Sequence, residues 1–145
     1  MEQKLEAYRR KRNFLKTSEP SGKEEKAVGV KKRKIFAVQL HYARTTHFDF
    51  RLEWDGVLLS WAVPKGPSFN PKDKRLAVRV EEHPLDYADF EGVIPKGEYG
   101  GGTVLLWDKG YWTETEDFAR GLEKGSLKLR LDGKRLKGGL SLIHI

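Results

Sequence analysis

Beyond residue 34 the chain contains only short apolar or alternating runs, each closed off by a turn signal, and this spacing leaves little room for helices. The runs are IFAVQL (35–40), FDFRLEW (48–54), VLLSWAV (57–63), RLAVRVE (75–81), TVLLW (103–107), YWTET (111–115), SLKLRL (126–131) and LSLIHI (140–145). The pairs Asp55-Gly56, Lys109-Gly110 and Asp132-Gly133 fall between successive runs, where tight hairpins need residues that accept positive φ. Only DFARGLEKG (117–125) reads as a helical turn in this region. Many short strands in antiparallel succession predict an all-β domain, a barrel or a sandwich. Residues 2–12 are predicted to form a short helix with Leu5, Tyr8 and Arg12 near one side. The stretch 17–29 has no periodicity and reads as linker. The glycine-rich PKGEYGGGT (95–103) lacks a phosphate-loop spacing and a following helix, so it is expected to be a tight bend or bulge before a strand.

The charge divides the chain in the same place. The 145 residues carry a formal net charge of +7, from 28 Lys+Arg and 21 Asp+Glu. Residues 1–34 hold 12 basic and 5 acidic side chains, and residues 35–145 hold 16 of each, so the excess lies wholly in an N-terminal arm. Such an arm (YRRKR at 8–12, KKRK at 31–34) is either a handle for polyanions or a solvated tail. The expected organisation is a basic arm and linker that contributes to the site, 1–34, followed by a β-barrel domain, 35–145. With no cysteine, disulfides, thiolate metal sites and a cysteine nucleophile are excluded. No apolar run approaches the roughly 18–20 residues of a membrane span, and MEQKLEAYRRKR is no secretory signal. A soluble, cytoplasmic, monomeric protein is expected.

Alternation within FDFRLEW places Phe48, Phe50, Leu52 and Trp54 on one face and His47, Asp49, Arg51 and Glu53 on the other. A His-Asp-Arg-Glu row is chemically richer than solvation requires. His47 and Asp49 can reach a common point, and His41 lies a short loop away. Two imidazoles and a carboxylate suit a divalent metal, and the N/O mixture tolerates Mn²⁺, Zn²⁺ or Fe²⁺. In RLAVRVE, Arg75, Ala77, Arg79 and Glu81 are expected to share one face and Leu76, Val78, Val80 and Glu82 the other. If these strands line one cavity, Arg51, Lys65 and Arg75 gather around an anion, which Arg holds with two parallel hydrogen bonds. His83 follows in EEHPLDY; with an ordinary pKa of about 6.5 it can protonate a leaving oxygen or donate to a phosphate near neutral pH.

The segments VQLHYARTTHFDFRLEWDGVLLSWAVPKGPS and KRLAVRVEEHPLDYADFEGVIPKGEYGGGTVLLWDKGYW resemble the 3′-phosphoesterase domain of bacterial and archaeal DNA ligase D, which serves non-homologous end joining. The resemblance runs almost unbroken from about Phe36 to Trp112 and more loosely through YRRKRNFLKTSEP. It implies a compact antiparallel β-barrel with short peripheral helices, here as a stand-alone module. It also implies a manganese-dependent enzyme, with Co²⁺ or Zn²⁺ as other candidates. Such an enzyme removes a 3′-terminal ribonucleotide to leave a 3′-phosphate, then hydrolyses that phosphate to a 3′-hydroxyl. By motif, His41, His47 and Asp49 would ligate the metal. Arg51, Lys65, Arg75 and His83 would contact the scissile phosphate, with Tyr87 beside it. Arg12 and Glu19 match site positions of the N-terminal segment, and Glu81 a position tied to the ribonucleotide end. The implied partners are primer–template 3′ ends and separate ligase, polymerase and Ku proteins.

Two departures stand out. Asn13 replaces the usual Asp after the N-terminal Arg; it keeps a hydrogen-bonding oxygen to orient Arg12 but loses the charge, so altered activity is expected. The sequence stops at Ile145, where the family often continues into a further apolar strand, so the barrel is expected to be minimal or the sequence truncated. Two other readings compete with the enzyme. One is a non-catalytic phosphate- or DNA-end-binding module; the other is a metal-free, His-dependent ribonuclease that uses the 2′-hydroxyl.

Overall fold

The computed structural model describes residues 2–22, 33–70, 72–114 and 117–144. Eight strands follow one another: β1 (Lys34–Tyr42), β2 (Thr46–Trp54), β3 (Val57–Val63), β4 (Lys74–His83), β5 (Gly92–Ile94), β6 (Gly102–Glu114), β7 (Ser126–Gly133) and β8 (Lys137–His144). A 3₁₀ turn and the short helix α1 (Glu6–Arg10) precede them, a 3₁₀ turn spans Leu85–Asp89, and α2 (Phe118–Lys124) lies between β6 and β7. The sheet runs β1-β2-β3-β4-β8-β7-β6, and β6 also pairs with β1, which closes a seven-stranded barrel; β5 hangs on β6 outside the ring. Around the ring every ladder is antiparallel except β4–β8, which is parallel from Lys74↔Ser141 to Ala77↔His144. Parity requires this seam: a closed ring with an odd number of strands cannot alternate direction all the way round. Among the described residues no helix is long and apolar enough to cross a membrane.

The barrel is filled, not hollow. Phe36, Phe50, Leu52, Trp61, Leu129 and Trp112 belong to one buried apolar cluster inside it. Alternation then sends the intervening residues of β1, β2 and β3 to the outer surface, where a second cluster assembles Tyr8, Ala37, Leu58, Tyr87, Ala88 and Phe90. The polar row of β2 thus lies on the outer face of the wall, and it is covered. Residues 2–22 and the Leu85–Asp89 turn pack over it, with Tyr8 wholly buried. The N-terminal arm is, over its described part, a second layer of the domain, and Leu5, Tyr8 and Arg12 face inward together. Within 17–29, residues 17–22 are part of that layer; 23–32, with the first half of KKRK, lie outside the described residues.

Three local expectations are corrected. The first concerns the turns. Asp55-Gly56 forms the expected β2–β3 turn, both residues at positive φ (52° and 84°). Lys109-Gly110 instead lies inside the continuous strand β6. A Cβ on Gly110 would stand 2.1 Å from the Asp132 carbonyl oxygen, so the glycine allows β6 and β7 to approach closely. Asp132-Gly133 belongs to β7, and the reversal falls on the next three residues. There the buried Asp108 carboxylate accepts the backbone N–H groups of Lys134, Arg135 and Leu136 at 2.9, 3.2 and 2.8 Å.

The third correction is in β4. Val80 pairs with Ser60 and His83 with Leu58, so three steps on β4 match two on β3. This bulge breaks the expected row of Arg75, Ala77, Arg79 and Glu81. Arg79 faces inward over Trp61 and is joined there by Glu82 at 3.0 Å. Glu81 and His83 are turned outward, beneath the N-terminal layer. A Gly110→Ala variant is expected to lose at least about 2 kcal/mol of stability in urea unfolding, because no rotamer relieves a backbone clash. Wild-type stability in that variant would contradict the packing described.

Candidate metal centre and phosphate site

The β1–β2 hairpin brings three side chains to one point. His41 and His47 are cross-strand partners, and Asp49 pairs with Gln39 one step further down the same outer face. The two imidazole centroids are 4.9 Å apart. Ligand atoms of His41, His47 and Asp49 all lie within 4.8 Å of one another. Each ring is held from behind by a carbonyl. His41 Nε2–H donates to Gly100 O at 2.7 Å, and His47 Nδ1–H donates to Thr45 O at 2.9 Å. These bonds fix the tautomers and leave His41 Nδ1 and His47 Nε2 facing Asp49, at 3.4 and 3.2 Å. Burial opposes the Asp49 charge, yet the hydrogen bonds from His41 and His47 and the Arg51 guanidinium overcome it and hold the carboxyl far below its usual range. The hydrogen bond to Asp49 raises the pKa of His47. Two imidazoles, each anchored from behind by a carbonyl, with an ionised carboxylate are a fitting donor set for a divalent transition metal.

Next along β2, Arg51 is buried with one end unclaimed. Its Nε donates to Gln39 Oε1 at 2.7 Å, its Nη2 lies 3.5 Å from Asp49 Oδ2, and its Nη1 is buried with no hydrogen-bond partner. The guanidinium sits 4.7 Å from the Tyr87 ring centre. Gln39 is fully buried and fixes this pose: its amide donates to Tyr87 O at 2.7 Å and to Phe90 O at 3.0 Å, leaving only its oxygen for Arg51. A buried cationic donor without a partner is costly, and an anion would satisfy it.

The N-terminal layer completes the surroundings. Arg12 Nε donates to Glu19 at 2.9 Å, Nη1 to Tyr8 O at 3.0 Å, and Nη2 to His83 Nε2 at 3.3 Å. Glu19 also accepts from the Tyr87 hydroxyl at 2.6 Å and the Thr17 hydroxyl at 2.9 Å. Burial keeps the Tyr87 and Tyr8 phenols protonated well beyond the ordinary tyrosine range. Burial also disfavours the Arg12 charge, but Glu19 more than compensates. Glu81 holds Lys11 at 2.8 Å and Arg12 at 3.4 Å. These contacts lower its pKa against the opposing effect of burial.

His83 differs from its expected ordinary titration. Burial, then the charges of Arg51 and Arg12, push its pKa well below the usual value. Its Nδ1–H donates to Glu81 O at 2.8 Å, with Ser60 Oγ also 3.2 Å away, so the neutral Nε2 accepts from Arg12.

Two expected residues are not brought into this network. Lys65 is exposed two positions beyond Val63, which pairs with Phe48, so it stands at the triad's end of the barrel. Arg75 shares the inward row of Ala77, pairs with core Leu142 and has a buried Nε without a partner. Among the described residues neither is bonded to the triad. Asn13 does not orient Arg12; its side chain is exposed and accepts from Leu15 N at 3.1 Å. Gln39, Ser60, Tyr8, Lys11 and the Gly100 carbonyl escaped sequence reasoning. Alternation along β1 from His41 was the signal that would have found Gln39.

A family model, the DNA ligase D 3′-phosphoesterase domain, matches residues 39–144. The chain is 55% identical over 142 residues to the multifunctional non-homologous end joining protein LigD of Pseudomonas aeruginosa, a match covering 97% of the chain and 16% of that protein. It is 46% identical over 141 residues to the multifunctional non-homologous end joining DNA repair protein LigD of Mycobacterium tuberculosis, covering 97% of the chain and 18% of that protein. The LigD of Mycolicibacterium smegmatis is 43% identical over 148 residues. The chain thus spans less than a fifth of the length of these curated relatives. The matched region holds His41, His47, Asp49, Arg51 and His83 and most of the barrel wall, and the chain belongs to the DNA ligase D 3′-phosphoesterase domain family.

Proposed function

We propose that this chain is a Mn²⁺-dependent phosphoesterase that trims nucleic-acid 3′ ends for repair and ligation. Its substrates are primer–template ends carrying a terminal ribonucleotide or a 3′-phosphate. The observation that carries this reading is the buried, unsatisfied Nη1 of Arg51 beside a His-His-Asp donor set. A phosphate offers oxygens to both. The reaction belongs with ligase, polymerase and Ku functions in end joining, and Co²⁺ or Zn²⁺ are alternative occupants.

His41, His47 and Asp49 would hold the metal, which when bound supplies Lewis-acid polarisation of a phosphate oxygen. Arg51 stabilises charge that grows on a non-bridging oxygen, from a low-dielectric position fixed in advance by Gln39. Tyr87, its proton retained and its hydroxyl held by Glu19, stands beside Arg51 as a neutral wall. Water adds its oxygen to phosphorus as the ester P–O bond breaks, and the leaving oxygen takes up a proton. Burial, and then the charges of Arg51 and Arg12, disfavour a second proton on His83. A bound phosphate dianion offsets those charges and raises the proton affinity of His83, which is the condition for it to act as the acid. Lys65 and Arg75, without acidic partners among the described residues, add positive charge at the same barrel end.

Mass analysis of products from a ribonucleotide-ended primer tests the reading. With Mn²⁺ the expected products are a 3′-phosphate end and then a 3′-hydroxyl end; EDTA should stop both. Full turnover in chelator would sink the metal assignment, and no product under any divalent metal would favour a binding module. Arg51→Gln is expected to lower kcat for phosphate release by about 100–1000-fold, as for loss of one pre-placed oxyanion donor.

His83 also predicts a pH effect on stability. A histidine whose folded pKa is depressed favours folding above its unfolded pKa of about 6.5, and that contribution is lost as pH falls toward the folded value. Between pH 7 and pH 5 the metal-free wild type should lose stability relative to His83→Gln, by up to about 1.4 kcal/mol per pH unit below 6.5. Parallel pH profiles in urea unfolding would refute the buried neutral imidazole.

A further inference from the structure

One aromatic side chain at this site has no part in the phosphate chemistry. Tyr99 sits in the loop between β5 and β6, next to Gly100, whose carbonyl holds His41, and it remains 44% exposed. Its ring centre lies 4.9 Å from Lys11 Nζ and 5.1 Å from the Arg12 guanidinium carbon. The same two cations hold Glu81, Lys11 at 2.8 Å and Arg12 at 3.4 Å. A π-face and a solvent-reaching ammonium therefore meet at one rim, with the Glu81 side chain, 5% exposed, paired beneath Lys11 and Arg12. Arg51, His83 and Tyr87 lie below it, each 3% exposed or less.

A phosphomonoester has nothing beyond its oxygens to place at such a rim. A diester carrying a terminal ribonucleoside has a flat base to stack. Stacking on an exposed aromatic ring is worth a substantial factor per base and tolerates any base. We infer that Tyr99 is a specificity-determining residue that stacks the base of the leaving 3′-terminal ribonucleoside at this rim. This rests on the phosphoesterase reading above and deepens it: the rim separates nucleoside removal from phosphate removal.

The test uses the full chain with Mn²⁺ and compares nucleoside removal from a ribonucleotide-ended primer with phosphate release from a 3′-phosphate DNA primer. Tyr99→Ala should lower kcat/KM for nucleoside removal about tenfold, mainly through KM, and leave phosphate release unchanged. Tyr99→Phe should keep both activities, since the ring and not the hydroxyl stacks. A primer ending in an abasic ribose should lower wild-type nucleoside removal by the same factor, and Tyr99→Ala should add nothing to that loss. Primer affinity by fluorescence anisotropy in EDTA should follow the same pattern without turnover, and Mn²⁺ affinity by water-proton relaxation should not change. Equal loss of both activities, a drop in Mn²⁺ affinity, or additive abasic and Tyr99→Ala effects would overturn the inference by showing that Tyr99 acts through the Gly100–His41 bond or not on the base. If the wild type performs neither reaction with Mn²⁺, the phosphoesterase reading itself fails, and this inference with it.

Discussion

A carboxylate buried between two imidazoles and a guanidinium is the constraint on which the rest of this site depends. Asp49 stays ionised although burial disfavours its charge, because His41, His47 and Arg51 all converge on it. Removing such a group from water costs several kcal/mol per ion unless each lone pair and proton is met. The surrounding structure meets them. The β1–β2 register sets the two imidazoles opposite each other, the Gly100 and Thr45 carbonyls turn their lone pairs inward, and Gln39 fixes the guanidinium. What the protein leaves unmet is Arg51 Nη1, a buried donor without a partner.

The same requirement explains why the N-terminal residues form a layer and not a tail. The outer face of β1–β3 carries charge, so it must be either solvated or covered by groups that pair with it. Arg12, Glu19 and Tyr8 cover it, and their mutual bonds reach Tyr87, His83 and Glu81. The filled barrel interior supplies the rigidity, and its wall supplies both faces from one alternating strand. The net positive charge of the chain thus has local consequences: Arg12 and Lys11 act through where they are held.

Much of this was legible before any coordinates. FDFRLEW declares its two faces, since its apolar residues enter the core and His47, Asp49 and Arg51 share the other side, as strand alternation demands. The strand runs, the Asp55-Gly56 turn and the helical segment near residue 120 were equally clear. What escaped depends on contacts between segments distant in sequence. The β4 bulge that aims Glu81 and His83 outward leaves no local signature, because RLAVRVE reads as a regular strand. Gly110 resembles a turn residue until β7 lies against it. Gln39 and the Gly100 carbonyl matter only through the side chains they hold. The depressed pKa of His83 arises from burial beneath residues some 70 positions earlier in the chain. Lys65 and Arg75 show the converse: residue type pointed to the phosphate, while their bonding leaves them outside the network.

The central claim is that Asp49, His41 and His47 are built to hold one divalent transition metal. Equilibrium Mn²⁺ binding to the intact chain, followed by calorimetry without substrate, tests it most directly, with the nearly isosteric Asp49→Asn variant beside the wild type. The account predicts one saturable site in the wild type, proton release as Mn²⁺ takes the place of the His47 proton, and loss of that site in the variant. Binding that is equally tight in Asp49→Asn, or no saturable site in the wild type, would contradict it.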